Sequence, residues 1–186
     1  MSLSAVILAG GKSSRMGEDK SLLPFKNVLS MALYQYKKMQ KLFDKVYIST
    51  KKDKFDFKAN LIFDKYKESS PLVAIVSIFQ ELKCDAFFLI SVDMPLVDTE
   101  DIKKLIDLYK TNPNYDVYTI KTQNGLEPTV AIYTKSILKN AKSMLESNQH
   151  RLNMLIKTSN FVAITTNKSK KYVNLNSKNE YLEHFK

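Results

Sequence analysis

The sequence predicts an α/β fold: a three-layer sandwich around a mainly parallel sheet. Three observations carry that expectation. Ser4-Ala5-Val6-Ile7-Leu8-Ala9 is a short, continuous apolar run closed at once by glycines. Ala86-Phe87-Phe88-Leu89-Ile90 is a second such run, ending at Ser91-Val92-Asp93. Between these and the other strand-like segments lie stretches that turn one apolar face at helical spacing. Unbroken apolar runs of strand length belong to strands buried on both faces, and their alternation with helices marks a parallel sheet covered on both sides.

The elements follow in chain order. After the first strand, a polar loop runs from Gly10 to about Ser21. Leu29, Ala32, Leu33, Tyr36, Met39 and Phe43 then recur as one helical face. Val46-Tyr47-Ile48-Ser49 is a second strand, and Leu61-Ile62-Phe63 before Asp64 a third. Ser70-Pro71 reads as N-cap and first helical residue, with Leu72, Ile75, Val76, Phe79 and Leu82 on the buried face. Beyond the 86–90 strand, Asp98 or Thr99 caps a helix carrying Ile102, Leu105, Ile106 and Tyr109. Val117–Ile120 and Val130–Tyr133 are strands flanking the turn signal Gln123-Asn124-Gly125. Lys135–Ser147 and Leu152–Ile156 read as helices and Phe161–Thr165 as a strand, and Ser177-Lys178-Asn179-Glu180 is a capping box opening a terminal helix.

Size and composition bound the answer. The 186 residues suit a single domain spanning 1–186. Hydrophobic residues at 44% and charged residues at 26% match a soluble globular chain. One cysteine, Cys84, rules out an internal disulfide framework and a multi-cysteine zinc site. Without a long apolar run or a basic leader followed by an apolar core, the expectation is a cytoplasmic protein with no membrane partner. The net charge of +10 attracts anions. Nearly all of it comes from lysine, however, since only Arg15 and Arg151 are arginines, and a lysine- and asparagine-rich bias accounts for much of the surplus. The lysine-rich pieces 51–54 and 168–171 read as solvated loops, or alternatively as anion-collecting rims. Aromatic residues are scattered at core spacings, without the pattern of an RNA-recognition domain, so nucleic acid is not an expected partner. His150 and His184 read as surface residues.

The segment Leu8-Ala9-Gly10-Gly11-Lys12-Ser13-Ser14-Arg15-Met16-Gly17-Glu18-Asp19-Lys20 is the most informative. It follows the first strand, and ligands in open α/β sheets bind beyond the carboxyl ends of strands. Glycines let backbone approach an anion, Arg15 offers a planar fork to phosphate oxygens, and Lys20 a compact charge. Gly11-Lys12-Ser13 looks like the end of a P-loop, but the position that needs the earlier glycine is Val6, so that motif fails. Gly10, Gly11 and Gly17 do not make a dinucleotide fingerprint either. A plain strand-to-helix loop is the remaining alternative. Asp93, just past the strongest strand, faces the same crevice. Magnesium takes one or two carboxylates plus phosphate oxygens and waters, so one aspartate beside a triphosphate is sufficient. The alternative for Asp93 is a turn residue before Pro95. Asp64 has a similar strand-end position and reads equally as turn former or ligand contact.

The run Leu8–Gly17 with Asp19-Lys20 and Leu22-Leu23 closely resembles the signature of nucleotidyltransferases that handle the molybdenum cofactor, and among them the molybdenum cofactor guanylyltransferases. The resemblance spans most of the chain and is densest in residues 4–25 and 86–96. It implies a Rossmann-like nucleotidyltransferase fold, with GTP as cosubstrate, Mg²⁺ as metal and a molybdopterin-type cofactor as acceptor. Transient contact with molybdoenzymes or their chaperones also follows from it. Carried onto this sequence, it assigns nucleotide contacts to Leu8, Ala9, Gly10, Gly11, Lys20, Asp64 and Asp93. Arg15 and Lys20 stabilise triphosphate charge, and Asp93 holds the metal. On this reading the amides of residues 8–13 cradle the nucleotide. Leu126–Tyr133 is similar to the family segment near the acceptor, Asn174-Leu175-Asn176 to its terminal Asn-x-Asn motif, and Arg151 to a basic helix residue. Asn174 and Asn176 read equally as loop and cap chemistry. Two positions depart from the family: Ser49, where an asparagine is usual, and Ser69-Ser70 before Pro71-Leu72, where glycines are usual. Within the resemblance, a cytidylyltransferase or a sugar-phosphate nucleotidyltransferase is the near alternative. A non-catalytic nucleotide- or nucleic-acid-binding module is the distant one.

Overall fold

The computed structural model describes residues 3–10, 19–64 and 70–184. Gly11 and Arg15 therefore lie outside the described residues. The strands are β1 (Ser4–Leu8), β2 (Val46–Thr50), β3 (Asn60–Phe63), β4 (Ala86–Ser91), β5 (Val117–Thr122), β6 (Gly125–Thr134) and β7 (Phe161–Thr165). The helices are α1 (Met31–Gln40), α2 (Pro71–Leu82), α3 (Thr99–Thr111), α4 (Leu138–Glu146), α5 (Leu152–Lys157) and α6 (Lys178–His184). One seven-stranded sheet runs in the order β3-β2-β1-β4-β6-β5-β7. Only β6 runs against its neighbours, pairing antiparallel with β4 and β5; the other pairings are parallel. The predicted mainly parallel α/β sandwich is the observed architecture.

The apolar runs are continuous because their residues feed two cores by turns. Ala5, Ile7, Phe88 and Ile90 pack on one face with α1 and α3, whereas Val6, Leu8, Phe87 and Leu89 pack on the other with α2, α4 and α5. All but Leu8, which is 7% exposed, are fully buried. Ser70 caps α2 by accepting from the Val73 amide at 3.2 Å, and Asp98 rather than Thr99 caps α3. The capping box at α6 forms reciprocally: Ser177 Oγ accepts from the Glu180 amide at 3.2 Å, and Glu180 Oε2 accepts from the Ser177 amide at 2.7 Å.

Element boundaries differ from expectation most at α1, α4 and β6. α1 starts at Met31, because Ser30 caps it and leaves Leu29 outside, 76% exposed. Lys135–Ile137 forms a 3₁₀ turn ahead of α4. β6 is longer than Val130–Tyr133, because Leu126 and Glu127 also pair with β5, beyond a register shift next to Thr119, and Gly125 of the turn signal pairs with Thr122.

The chain runs outward from β1 to β2 and β3, then returns to the far side of β1 to make β4. The crevice between β1 and β4 is thus the point where strand order reverses, the position at which open α/β sheets take ligands. Leu8 stands opposite Ser49 on one side and Ser91 on the other. This register delivers Gly10, Asp64 and Asp93 to one edge of the sheet.

Candidate active site at the β1–β4 switch point

Lys20 opens a 3₁₀ turn, Lys20–Leu22, where the chain comes back to the sheet. Asp19 caps that turn: its Oδ1 accepts from the Ser21 amide at 3.0 Å and from Ser21 Oγ at 2.7 Å. Asp93 leaves β4 with Oδ1 held by Ser91 Oγ at 2.5 Å. Its Oδ2 stands 3.8 Å from the Lys20 ammonium, both side chains largely buried. Lys20 Nζ also donates to Asn176 Oδ1 at 2.5 Å. A pocket of about 230 Å³ gathers these groups with Leu8, Ala9, Gly10 and Asp19 along one wall and Ser91 and Val92 along the other.

Asn176 arrives from the far end of the sequence by two ties. The Leu175 amide donates to Asp93 O at 2.8 Å, and the Asn176 amide to Glu180 Oε2 at 2.9 Å, so the capping box of α6 fixes the backbone that presents the amide. Asn174 does not line the pocket, which separates the two asparagines that read alike in the sequence.

Asp64 faces Gly10 rather than the centre of the pocket. A Cβ added at Gly10 would meet Asp64 Oδ2 at 3.4 Å. Ser49 Oγ donates to Asp64 Oδ1 at 3.2 Å, so the hydroxyl found where an asparagine was expected still engages the strand-end carboxylate. Burial pushes the Asp64 carboxyl up, against the Ser49 bond and the Lys51 charge.

The expectation of a cradle of amides from residues 8–13 needs correction at Ala9. Its N–H donates to Ser49 O at 2.9 Å and its carbonyl accepts from Lys54 Nζ at 2.9 Å. Ala9 therefore forms wall, with its amide engaged in the strand ladder. Arg15 and Gly11 lie outside the described residues. Arg151 is exposed at the start of α5 and does not line the pocket.

The loop after Asp93 is held from α1. Gln35, fully buried, donates from Nε2 to Ser91 O at 3.1 Å and Met94 O at 3.2 Å. Lys38 donates to Pro95 O at 2.8 Å and Val97 O at 2.5 Å. Thr129 of β6 adds a contact to Met94 Sδ at 3.3 Å, bringing the Leu126–Tyr133 segment against the same loop. Sequence reading missed Gln35, Lys38 and Lys54. A buried polar residue on an apolar helix face was the available signal for the first; nothing local marked the lysines.

Two bland expectations also change. His150 is half-buried rather than superficial: Nδ1 lies 2.9 Å from Ser70 Oγ and Nε2 3.0 Å from Asn148 Oδ1. The lysine-rich loops are not simply solvated either. Lys54 is 12% exposed beside Asp19, and Lys168 and Lys171 pair with Asp98 at 3.3 and 2.5 Å. Cys84 is half-buried, and burial pushes its thiol up, away from the thiolate form that reacts.

Among the described residues no cluster of three or more acidic, histidine or cysteine side chains surrounds a metal position. The donor set still fits magnesium: Asp93 offers one carboxylate at a pocket wall, and phosphate oxygens with waters complete the shell of this cation without a protein cage. Among the described residues no helix is long and apolar enough to cross a membrane.

Residues 5–163 match the family model described as a MobA-like NTP transferase domain. The chain is 36% identical to the molybdenum cofactor guanylyltransferase of Campylobacter jejuni subsp. doylei over 99% of its own length and 95% of the relative's. It is 35% identical to the protein of the same name from Helicobacter pylori strain G27, over 95% of this chain and 88% of that one. The crystal structure of molybdopterin-guanine dinucleotide biosynthesis protein A from Archaeoglobus fulgidus superposes with a TM-score of 0.83, covering 98% of this chain and 97% of that one; at 16% identity the likeness is one of fold.

Proposed function

Since this chain belongs to the MobA-like NTP transferase family, we propose that it is a molybdenum cofactor guanylyltransferase, moving GMP from Mg-GTP to the terminal phosphate of molybdenum-bearing molybdopterin. The observation that carries the reading is the meeting of Lys20, Asp93 and Asn176 in one pocket at the strand-order reversal.

In that reaction an acceptor phosphate oxygen forms a bond to the α-phosphorus, the bond between that phosphorus and the β-bridging oxygen breaks, and pyrophosphate departs with the electron pair. A phosphate nucleophile is already ionised near neutral pH, so no strong general base is required. What the chain supplies is position and charge. The Lys20 ammonium neutralises triphosphate oxygens as charge moves to the leaving group. Asn176 Oδ1 accepts from Lys20 and aims it across the pocket. Asp93 would hold Mg²⁺, with Ser91 fixing one carboxylate oxygen. When bound, the ion would supply charge neutralisation to the triphosphate. Gly10 leaves room beside Asp64 for the nucleoside, and Arg15 adds a second cation to the triphosphate.

Pyrophosphate release from Mg-GTP in the presence of molybdopterin tests the reading directly. Thermal unfolding with each Mg-nucleoside triphosphate tests its base preference, because a ligand of the folded state raises the midpoint with occupancy. Selective stabilisation by GTP is expected. Selective stabilisation by CTP makes the chain a cytidylyltransferase on the same fold.

A further inference from the structure

Lys54 lies between β2 and β3, in the lysine-rich stretch that reads as solvated loop. Its side chain is only 12% exposed, and its ammonium is committed twice: to Ala9 O at 2.9 Å and to Asp19 Oδ2 at 2.5 Å. Those two acceptors sit where the chain leaves β1 and where it returns ahead of Lys20. One ammonium thus ties the two ends of the opening turn together. Removing an ammonium from water is costly unless a carboxylate and further acceptors receive it, and here both do.

The charge balance of the pocket makes the tie consequential. Among the described residues its charged lining side chains are Lys20, Asp93 and Asp19; on the nucleotidyl-transfer reading Asp93 would face the metal, which leaves Asp19 as a carboxylate toward a polyphosphate that needs a counter-charge. Lys54 stands against Asp19 without lining the pocket itself. Asp19 is fully engaged, one oxygen by Lys54 and the other by Ser21. Burial by itself would push its carboxyl up, but the Lys54 and Ser21 bonds outweigh burial and hold it below the usual range.

We propose that Lys54 is a positioning residue of the nucleotide pocket, which cancels the charge of Asp19 while joining it to Ala9, so that the turn carrying Lys20 presents a wall that accepts a polyphosphate. The assignment rests on the nucleotidyl-transfer reading. It concerns Lys54 alone, in a segment between strands rather than in the glycine loop.

The test is a charge-rescue cycle read as the affinity for Mg-GTP by calorimetry, with thermal unfolding to confirm that each variant folds. Lys54→Met is expected to weaken Mg-GTP binding about tenfold or more, because a bare carboxylate then faces the triphosphate in a partly desolvated pocket. Adding Asp19→Asn to Lys54→Met is expected to recover most of that loss, and Lys54→Arg to bind near the wild-type level. Asp19→Asn alone is expected to bind as tightly as wild type or tighter, which keeps the test alive if Lys54→Met does not fold. A merely structural tie predicts the opposite: Asp19→Asn alone weakens binding, and the double variant is no better than Lys54→Met. Either result overturns the assignment, as does Lys54→Met binding Mg-GTP like wild type. If wild type itself binds no nucleoside triphosphate, the nucleotidyl-transfer reading falls first and this assignment falls with it.

Discussion

On one side of the pocket, Asp93 leaves β4 under close control. Val92 N–H still bonds to Leu8 O at 3.0 Å, Gln35 and Lys38 reach up from α1 to four carbonyls of residues 91–97, and Leu175 N–H caps Asp93 O. On the other side, Lys20 sits on a short 3₁₀ turn whose ties are mostly side chains from distant sequence: Asn176, Lys54 by way of Asp19, and the Tyr181 hydroxyl on Pro24 O. The wall that carries Asp93 is thus an extension of the sheet and its core. The cationic wall is assembled from long, flexible side chains. The difference teaches where preorganisation resides. The loop bearing Asp93 is fixed through its own main-chain groups, which on the proposed reading suits a carboxylate that would hold a hard cation; the turn bearing Lys20 is fixed mostly through side chains, which suits an ammonium that would have to follow charge onto a leaving group.

The comparison breaks most directly at Asp93. Asp93→Asn keeps an acceptor for Ser91 but loses the metal-binding charge, and Mg-dependent pyrophosphate release is expected to fall about 10³-fold with little change in unfolding temperature. Turnover within about threefold of wild type removes Asp93 from its assigned role. Lys20→Ala is expected to lower kcat about 10²-fold and to change the KM for GTP much less, because its charge matters most as the leaving group forms. An equal loss confined to KM makes Lys20 a ground-state contact instead.

Asn176→Ala sharpens the comparison, since it removes one acceptor of the Lys20 ammonium and leaves the charge in place. About tenfold slower turnover is expected, with unfolding unchanged, as a consequence of a misplaced catalytic group. Gly10→Ala should weaken GTP binding by roughly fivefold and leave stability within about 0.5 kcal/mol of wild type. The added methyl would lie at an ordinary contact distance from Asp64 but fill the space facing it. Calorimetric titration and urea unfolding distinguish the two effects.

The smallest expected effect concerns Lys38. Burial, with the like charges of Lys26 and Lys171, lowers its amine to about 8 from an ordinary 10.5, against the pull of Asp98. Between those values the folded chain has released a proton that the unfolded chain retains, so stability gains a contribution as pH rises through that window. Below it, both states carry the charge and the folded state bears its burial. Urea unfolding of wild type and Lys38→Met at about pH 7.5 and about pH 10 measures this: the wild-type stability should rise relative to the variant at the higher pH. Parallel pH dependence of the two removes Lys38 as the half-buried cation supporting the Asp93 loop.

The legible part of the molecule was its local chemistry. The apolar runs of β1 and β4, the Ser70-Pro71 start of α2 and the Ser177–Glu180 capping box each involve groups within a few residues of one another, and each formed as read. So did the positions of Gly10, Asp64 and Asp93, because a side chain just past a parallel strand has little choice of edge. The illegible part was everything that depends on partners far along the chain. β6 extends past the expected Val130–Tyr133 because Leu126 and Glu127 resume pairing with β5 beyond a register shift that takes up Pro128, and Gly125, part of the turn signal, pairs with Thr122. Lys54 and Lys168 were indistinguishable from any other lysine until Asp19 and Asp98 came beside them.

By itself, then, the sequence determined the α/β layering, the strand edge that carries the site and the family to which the glycine segment belongs, since periodicity, caps and contiguous motifs are properties of neighbouring residues. Tertiary structure alone decided that Asn176 rather than Asn174 meets Lys20, that Gln35 and Lys38 steady the loop bearing Asp93, and that Lys54 answers Asp19. Those pairings join residues brought together only when β1 comes to lie between β2 and β4 and the terminal segment docks across the switch point. The energy of an ion pair or an amide bond depends on that distance and burial, which no stretch of contiguous sequence specifies.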